Sequence, residues 1–172
     1  MTRPSGRACW RSIASTPLSE LIVHPRIQKE FYKGVPHRDA WAAVSGPWPA
    51  VYNGDIFTPE DAAALFRDYP GTDAAMLGRG LMRDPALLRR LRGGPAASVQ
   101  ELRTYHDRLL EAYRQRLSGD QPVMHRMWEL WAYLSAGFTR PEPYLKRMRK
   151  AKNLPEYRAA VDALFREQRY TT

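Results

Sequence analysis

Apolar and polar residues alternate most regularly between residues 48 and 80. Short apolar runs at 48–52 and 74–77 are each typical of a buried strand, and residues 58–69 between them repeat apolar side chains at helical spacing. Thr58 suits the position that caps a helix, and Asp61 suits the acidic position of a capping box. Because strands that alternate with helices of this length usually form parallel βαβ units, the stretch predicts an α/β fold.

The pattern changes on either side of this stretch. Before it, Leu21-Ile22-Val23 predicts another buried strand, and residues 36–44 predict a short helix. After it, a helix is expected from Asp84 to Arg92, and Gly93-Gly94-Pro95 interrupts the chain. From residue 98 onward four groups of apolar residues recur at helical spacing, which predicts a small bundle of about four helices. We therefore expect three regions: a poorly defined tail (1–19), an α/β segment (20–94) and a helical domain (95–172).

Polar residues follow each predicted strand. They are His24-Pro25-Arg26, Asn53-Gly54-Asp55 and Gly78-Arg79-Gly80. Ligands of α/β folds bind at the carboxyl ends of strands, and glycines beside an arginine suit a phosphate group. Two readings stay open for the last turn, a phosphate site or a tight turn with a solvated arginine. His24 is equally open to a structural and a functional interpretation.

The net charge of +9 is concentrated in the second half of the chain. Residues 81–172 contain 18 Lys and Arg against 10 Asp and Glu. Such asymmetry favours a polyanionic partner, although a solvated arginine-rich surface would have the same composition. The best candidates for contact with a nucleic-acid backbone are five cations that follow one another closely: Lys146, Arg147, Arg149, Lys150 and Lys152.

Other features narrow the class of protein. No apolar segment approaches the roughly 18 residues of a membrane-spanning helix, and the first residues lack the apolar core of a secretory signal. Cys9 is the only cysteine, which excludes an internal disulfide and suits a reducing cytoplasm. No residue near Cys9 in sequence would activate it as a nucleophile. No metal site is expected.

Four motifs, in this order and spacing, resemble the C-terminal part of bacterial tRNA-dihydrouridine synthases. They are Ile22-Val23-His24-Pro25-Arg26, Phe31-Tyr32-Lys33-Gly34, Asn53-Gly54-Asp55-Ile56 and Gly78-Arg79-Gly80. The segment from Tyr105 to Leu154 is similar, more loosely, to the helical tRNA-binding domain of that family.

The resemblance implies a (β/α)8 barrel that binds FMN, uses NADPH and reduces uridine to 5,6-dihydrouridine in tRNA. It implies that His24 contacts the flavin and that Arg26 lies in the same loop. It places Asn53-Gly54-Asp55 beside the ribityl chain and phosphate, and it assigns Gly78 and Arg79 to the phosphate. The basic C-terminal residues would bind tRNA.

The chain also departs from the family pattern. The family's catalytic cysteine lies in an Asn-x-Gly-Cys-Pro motif that is absent here, and Cys9 does not match it, so no catalytic residue is assigned. The flavin-contacting lysine of the family has no counterpart in residues 1–19. Only three of eight barrel strands are predicted. We therefore expect an N-terminally truncated member, completed by self-association or by a complementing half-barrel. The alternatives are a non-catalytic RNA-binding fragment and another FMN-dependent barrel oxidoreductase.

Overall fold

A computed structural model describes residues 13, 15–31, 34–44 and 46–171. The chain divides into two compact units, Met1–Gly78 and Arg79–Thr172, which are called the N-terminal and C-terminal units below. Most of the predicted tail (1–19) lies outside the described residues, and so does Cys9. Within the described part of the chain, no helix is both long and apolar enough to cross a membrane.

The N-terminal unit contains a parallel sheet of three strands in the order β1-β2-β3. The strands are β1 (Leu21–Val23), β2 (Ala50–Asn53) and β3 (Ala74–Met76). Ile22 pairs with Val51, and Val51 pairs with Ala74, so the carboxyl ends of all three strands lie at one edge. The predicted parallel α/β arrangement is confirmed, and each strand forms at its predicted place.

Two short connections in the N-terminal unit are helical. They are α1 (Arg38–Ala42) and α2 (Pro59–Asp68), and a 3-10 turn (Gln28–Glu30) precedes α1. The backbone N–H of Asp61 donates to Thr58 Oγ1 at 3.1 Å, and the Thr58 N–H donates to Asp61 Oδ2 at 3.0 Å. This reciprocal pair is the capping box that the sequence predicts.

The two faces of the sheet differ in burial. On one face, Tyr52 is fully buried, and its ring meets Trp41 of α1 edge-on with centroids 5.3 Å apart. On the other face, Ile22 and Met76 remain 47% and 45% exposed. An apolar sheet face in water is unfavourable, because roughly 25 cal/mol is lost for each Å² of apolar surface left unburied.

The C-terminal unit is helical. Its helices are α3 (Arg79–Arg83), α4 (Leu87–Leu91), α5 (Val99–Arg116), α6 (Asp120–Leu134), α7 (Glu142–Lys150) and α8 (Leu154–Glu167), with a 3-10 turn at Ser135–Gly137. The four helices predicted after residue 98 are all present. The short helix predicted from Asp84 to Arg92 is present as α4 (Leu87–Leu91), and α3, which the sequence did not predict, precedes it and begins at Arg79. A helix therefore replaces the open Gly78-Arg79-Gly80 turn that the sequence suggested.

Residues 79–94 belong to the C-terminal unit, because α3 packs against α6. The sequence placed the boundary later, at Gly94. The assignment of FMN binding to residues 20–94 and of tRNA binding to residues 95–172 stays a prediction.

A hydrogen-bonded histidine lies at the centre of the C-terminal core. His106 is fully buried, and its ring nitrogens lie 2.8 Å from the Tyr157 hydroxyl and 2.8 Å from Asp107 Oδ1. Trp131 Nε1 donates to the same hydroxyl at 2.8 Å. Since the carboxylate can only accept, Nδ1 of His106 is the donor and Nε2 accepts from Tyr157. Burial lowers the pKa of His106 and raises the pKa of Tyr157, so the network is neutral at its centre.

Candidate functional site

The predicted polar residues of the first two strands meet at the carboxyl edge of the sheet. His24 follows β1, and its Nδ1 lies 2.5 Å from the carbonyl oxygen of Asn53, the last residue of β2. A carbonyl only accepts hydrogen bonds, so Nδ1 is protonated. The other ring nitrogen, Nε2, has no hydrogen-bond partner among the described residues, and the side chain is exposed. His24 thus presents one nitrogen outward from a fixed ring.

Arg26 forms a second link between the same strand ends. Its Nη2 donates to Asp55 Oδ2 at 2.8 Å, and its Nη1 donates to the Gly34 carbonyl at 2.9 Å. The arginine side chain is 2% exposed, yet its Nε has no partner within the described part of the chain. A buried unsatisfied donor costs about 1–3 kcal/mol, and such a group often marks a binding site or an unseen partner.

The packing of a neighbouring side chain explains why residue 54 is a glycine. A Cβ at this position would clash with the phenol of Tyr52, two residues earlier. The Tyr52 side chain is fully buried and burial raises its pKa. Gly54 therefore makes room for the end of a core side chain, a role that the sequence did not reveal.

Gly78 differs from Gly54. A Cβ added to Gly78 would meet no atom within 4 Å, so open space lies beside its backbone. Arg79 is the next residue, and it opens α3 in the C-terminal unit. The division between units falls between these two residues, and the predicted phosphate role of the pair stays a prediction.

One of the four sequence motifs is only partly described. Tyr32 and Lys33 lie outside the described residues. Phe31 is 72% exposed and has a positive φ of 48°, a strained backbone conformation for a residue other than glycine. The segment between β1 and α1 is tied down at its ends, because the His37 N–H donates to the Pro25 carbonyl at 2.7 Å.

Four of the five cations proposed for tRNA contact lie on α7, and Lys152 follows it. Lys146, Arg149 and Lys150 line a groove of about 750 Å³ between α6 and α7, whereas Arg147 and Lys152 are outside that lining. All five side chains are exposed. The sequence could not separate these subsets, because only the helical periodicity together with the packing of α7 decides which cations share the groove.

The sequence did not indicate a binding role for Trp128. The pattern assigned the tryptophans to the core, and Trp131 is indeed fully buried. Trp128 is only partly buried, and the Arg149 guanidinium lies over its ring, 4.4 Å from the centroid. Their separation of 21 positions in sequence gave no signal of this contact.

Among the described residues, no group of three or more His, Cys, Asp or Glu side chains is placed to hold a metal ion.

Comparisons with known proteins agree with the motif resemblance. The sequence profile of the family described as dihydrouridine synthase matches residues 10–168. A tRNA-dihydrouridine(16) synthase of Cupriavidus necator is 28% identical over 163 residues, which cover 86% of this chain and 50% of that protein.

Two shorter matches have higher identity. A tRNA-dihydrouridine(16) synthase of Ralstonia nicotianae is 35% identical over 88 residues, covering 50% of this chain and 27% of the relative. The tRNA-dihydrouridine synthase B of Shewanella oneidensis is 38% identical over 76 residues, covering 43% of this chain and 23% of the relative. In these three matches the chain spans half or less of the relative's length. The family profile nevertheless covers most of the chain, and the protein therefore belongs to the dihydrouridine synthase family.

Proposed function

We propose that this chain forms part of the FMN site and the tRNA-binding surface of a tRNA-dihydrouridine synthase. The whole enzyme would reduce uridine to 5,6-dihydrouridine in tRNA, with NADPH as the reductant and in the cytoplasm. The names of the relatives, both tRNA-dihydrouridine(16) synthases, support this reaction. The catalytic cysteine of the resembling motif has no counterpart in the sequence, so the proposal assigns binding roles to this chain and no proton donor.

The strand arrangement supports a segment of a (β/α)8 barrel. Strands β1, β2 and β3 are parallel and neighbour one another in chain order, with helices between them. Consecutive strands of such a barrel have this order. In a barrel, the face that carries Ile22 and Met76 would be the interior, covered by further strands. We propose that a complementing half-barrel, or a second copy through self-association, supplies that cover.

The cofactor proposal rests on polar groups with free hydrogen-bonding capacity and on open space at the carboxyl edge of the sheet. Arg26 Nε is buried without a partner among the described residues, His24 presents Nε2 outward, and open space lies beside Gly78. These groups fit an anionic flavin nucleotide, because the arginine donor and an unobstructed backbone suit phosphate, and an imidazole nitrogen can form a hydrogen bond with a polar edge of the ring. The flavin would supply hydride transfer, and the protein would supply position and electrostatics.

Individual roles follow from the contacts. His24 is held by the Asn53 carbonyl, so it would orient one nitrogen toward the flavin ring. Asp55 fixes the Arg26 guanidinium and would keep the loop after β1 in place. Gly78 and Arg79 would receive the phosphate.

Gly78→Val gives a direct test, because the open space predicts that the fold tolerates the added side chain. The 172-residue chain and a fusion to the upstream half-barrel of the Cupriavidus necator relative would be incubated with FMN and desalted. We expect the fusion to retain a visible flavin spectrum and to oxidise NADPH. Gly78→Val in the fusion should lose most of the flavin without changing the far-UV circular dichroism melt.

Two substitutions serve as controls for the flavin measurement. Arg79→Met should weaken flavin retention, whereas Arg92→Met, an exposed position beyond α4, should not. Gly54→Ala should disturb folding itself, since its Cβ meets Tyr52. A folded, soluble fusion that never binds flavin would contradict the cofactor proposal.

A second candidate function, a non-catalytic RNA-binding module, is favoured by the basic C-terminal half and the missing cysteine motif. It predicts tRNA binding by the 172-residue chain that weakens steeply with salt, because phosphate contacts release counterions. Binding to tRNA without flavin retention in the fusion would select this function. A third candidate is another FMN-dependent barrel oxidoreductase, which would be favoured if the flavin-loaded fusion reduced no tRNA uridine.

A further inference from the structure

The groove between α6 and α7 combines a planar cation with two further cations. The Cζ atom of Arg149 lies over the Trp128 ring, 4.4 Å from its centroid, which is within the range of a cation–π contact. The indole thus covers one side of the guanidinium, while Arg149 itself is exposed. A guanidinium plane supported in this way is a surface on which an unpaired nucleobase can stack.

The charges around this pair are not balanced. Lys146 and Lys150 line the groove together with Arg149, and Glu142 is the single carboxylate among the described residues of its lining. Within the described part of the chain, none of the three cations takes part in an ion pair. Other arginines of this unit are paired, such as Arg126 with Glu129 and Arg166 with Glu167. Uncompensated cations that share a groove repel one another until an anion binds, so the groove is complementary to phosphate.

We propose that this groove binds a single-stranded segment of RNA, with one unpaired base stacked on Arg149 and the neighbouring phosphates held by Lys146 and Lys150. Trp128 is the positioning residue that holds the guanidinium in place. The inference rests on the proposed tRNA binding and sharpens it, because it separates three groove cations from Arg147 and Lys152. It also predicts that the affinity for RNA depends on the presence of bases, whereas charge alone would give the same affinity with and without them.

Arg149→Lys tests the stacking directly. The change keeps the positive charge and removes the planar group. Binding of the full chain would be measured by fluorescence anisotropy with three labelled probes: a tRNA transcript, a 12-nucleotide unstructured RNA, and the same oligomer made abasic at every position. We expect the wild-type chain to bind the RNA at least about fivefold more tightly than the abasic oligomer, and Arg149→Lys to remove that difference. The slope of affinity against salt should stay unchanged.

Arg147→Lys is the matched control, since it makes the same change on the same helix outside the groove. It should leave the base-dependent difference intact. Lys146→Ala should do the opposite of Arg149→Lys: it should keep the base preference and reduce the salt slope by about 0.7. Trp128→Leu should resemble Arg149→Lys, and Trp128→Phe should restore much of the preference.

The outcomes separate this inference from the function on which it rests. If the wild-type chain binds no tRNA, the tRNA proposal fails as a whole. If it binds tRNA with a steep salt dependence but equally well to the RNA and abasic oligomers, the stacking inference alone is overturned. If Arg149→Lys lowers only the melting temperature, the Trp128 contact is a clamp between helices and the inference is wrong.

Discussion

The C-terminal unit buries a continuous core, whereas the N-terminal unit leaves part of its sheet in water. Met127, Trp131 and Leu164 are fully buried in the former, while Ile22 and Met76 are about half exposed in the latter. Buried polar atoms differ in the same way. Among the described residues, Arg26 Nε and Trp48 Nε1 of the N-terminal unit are buried without partners, and no side chain of the C-terminal unit has a buried donor or acceptor in that condition.

The difference shows what each unit requires. The C-terminal unit satisfies its own polar groups, so its stability depends on its own packing. The N-terminal unit contains the proposed cofactor-binding edge and leaves part of an apolar sheet face exposed, so we expect a ligand or further protein surface to add to its stability. The largest difference in stability between the units is expected when the same substitution, methionine to alanine, is made in each.

Met127→Ala should lower the free energy of unfolding of the C-terminal unit by about 2–5 kcal/mol, because it removes fully buried groups and leaves a cavity. Met76→Ala should cost about 1 kcal/mol or less, because its side chain is 45% exposed. Chemical denaturation followed by circular dichroism would measure both. Equal losses would show that the sheet face is as well packed as the helical core.

Tyr157→Phe should destabilise the C-terminal unit by about 1–3 kcal/mol. The hydroxyl accepts from Trp131 and donates to His106, and its removal leaves buried polar groups without partners. Tyr133→Phe, at a partly buried tyrosine of α6, is the control and should have a much smaller effect. A stable Tyr157→Phe protein would mean that water replaces the hydroxyl.

The pH dependence of stability should also separate the two units. Burial lowers the pKa of His106 in the folded state below its unfolded value of about 6.5, so the unfolded chain binds more protons. The stability that this group contributes is present above about pH 6.5 and declines as the pH falls below it. His106→Gln should flatten this part of the pH profile of the helical melt. The same substitution at exposed His125 is the control, and an identical effect there would contradict the assignment to His106.

The helix caps should show the smallest difference, because both units use the same device. Thr58→Ala removes the cap of α2 and should cost about 1 kcal/mol. Ser98→Ala removes the equivalent cap of α5, where the Glu101 N–H donates to Ser98 Oγ at 3.1 Å. Losses of similar size in thermal melts would show that local capping is independent of how completely a unit is packed. A much larger loss at Thr58 would indicate that α2 depends on its cap more than on the sheet.

Hydrogen bonding between Arg89 and Glu101, aided by the Ser98 cap, lowers the pKa of Glu101 to about 2. The Glu101 carboxylate therefore stays charged at and well below about pH 6.5, the unfolded pKa of histidine.

Local signals were sufficient for much of the fold. The β-branched and aliphatic run at Leu21–Val23 predicted β1, and Thr58 with Asp61 predicted the start of α2, because capping and burial act within a few residues. Polar residues were predicted to follow β1 and β2 at the end of the strands where ligands bind, and the His24–Asn53 and Arg26–Asp55 contacts join those strand ends.

The start of α3 could not be predicted in the same way. Arg79 and Gly80 read as a turn, since glycine weakens a helix by about 1 kcal/mol relative to alanine. Gly80 is buried and α3 packs against α6, so tertiary contact offsets the poor local preference.

By itself, the sequence determined the strands, the four long helices, the concentration of positive charge after residue 80 and the family to which the chain belongs. These properties depend on short-range patterns and on composition. Only the tertiary structure decided that Gly54 makes room for Tyr52, that His106 shares a hydroxyl with Trp131, and that Arg149 rests on Trp128. The latter two contacts join residues 21 or more positions apart, and all three depend on where packing directs the side chains, which local spacing cannot specify.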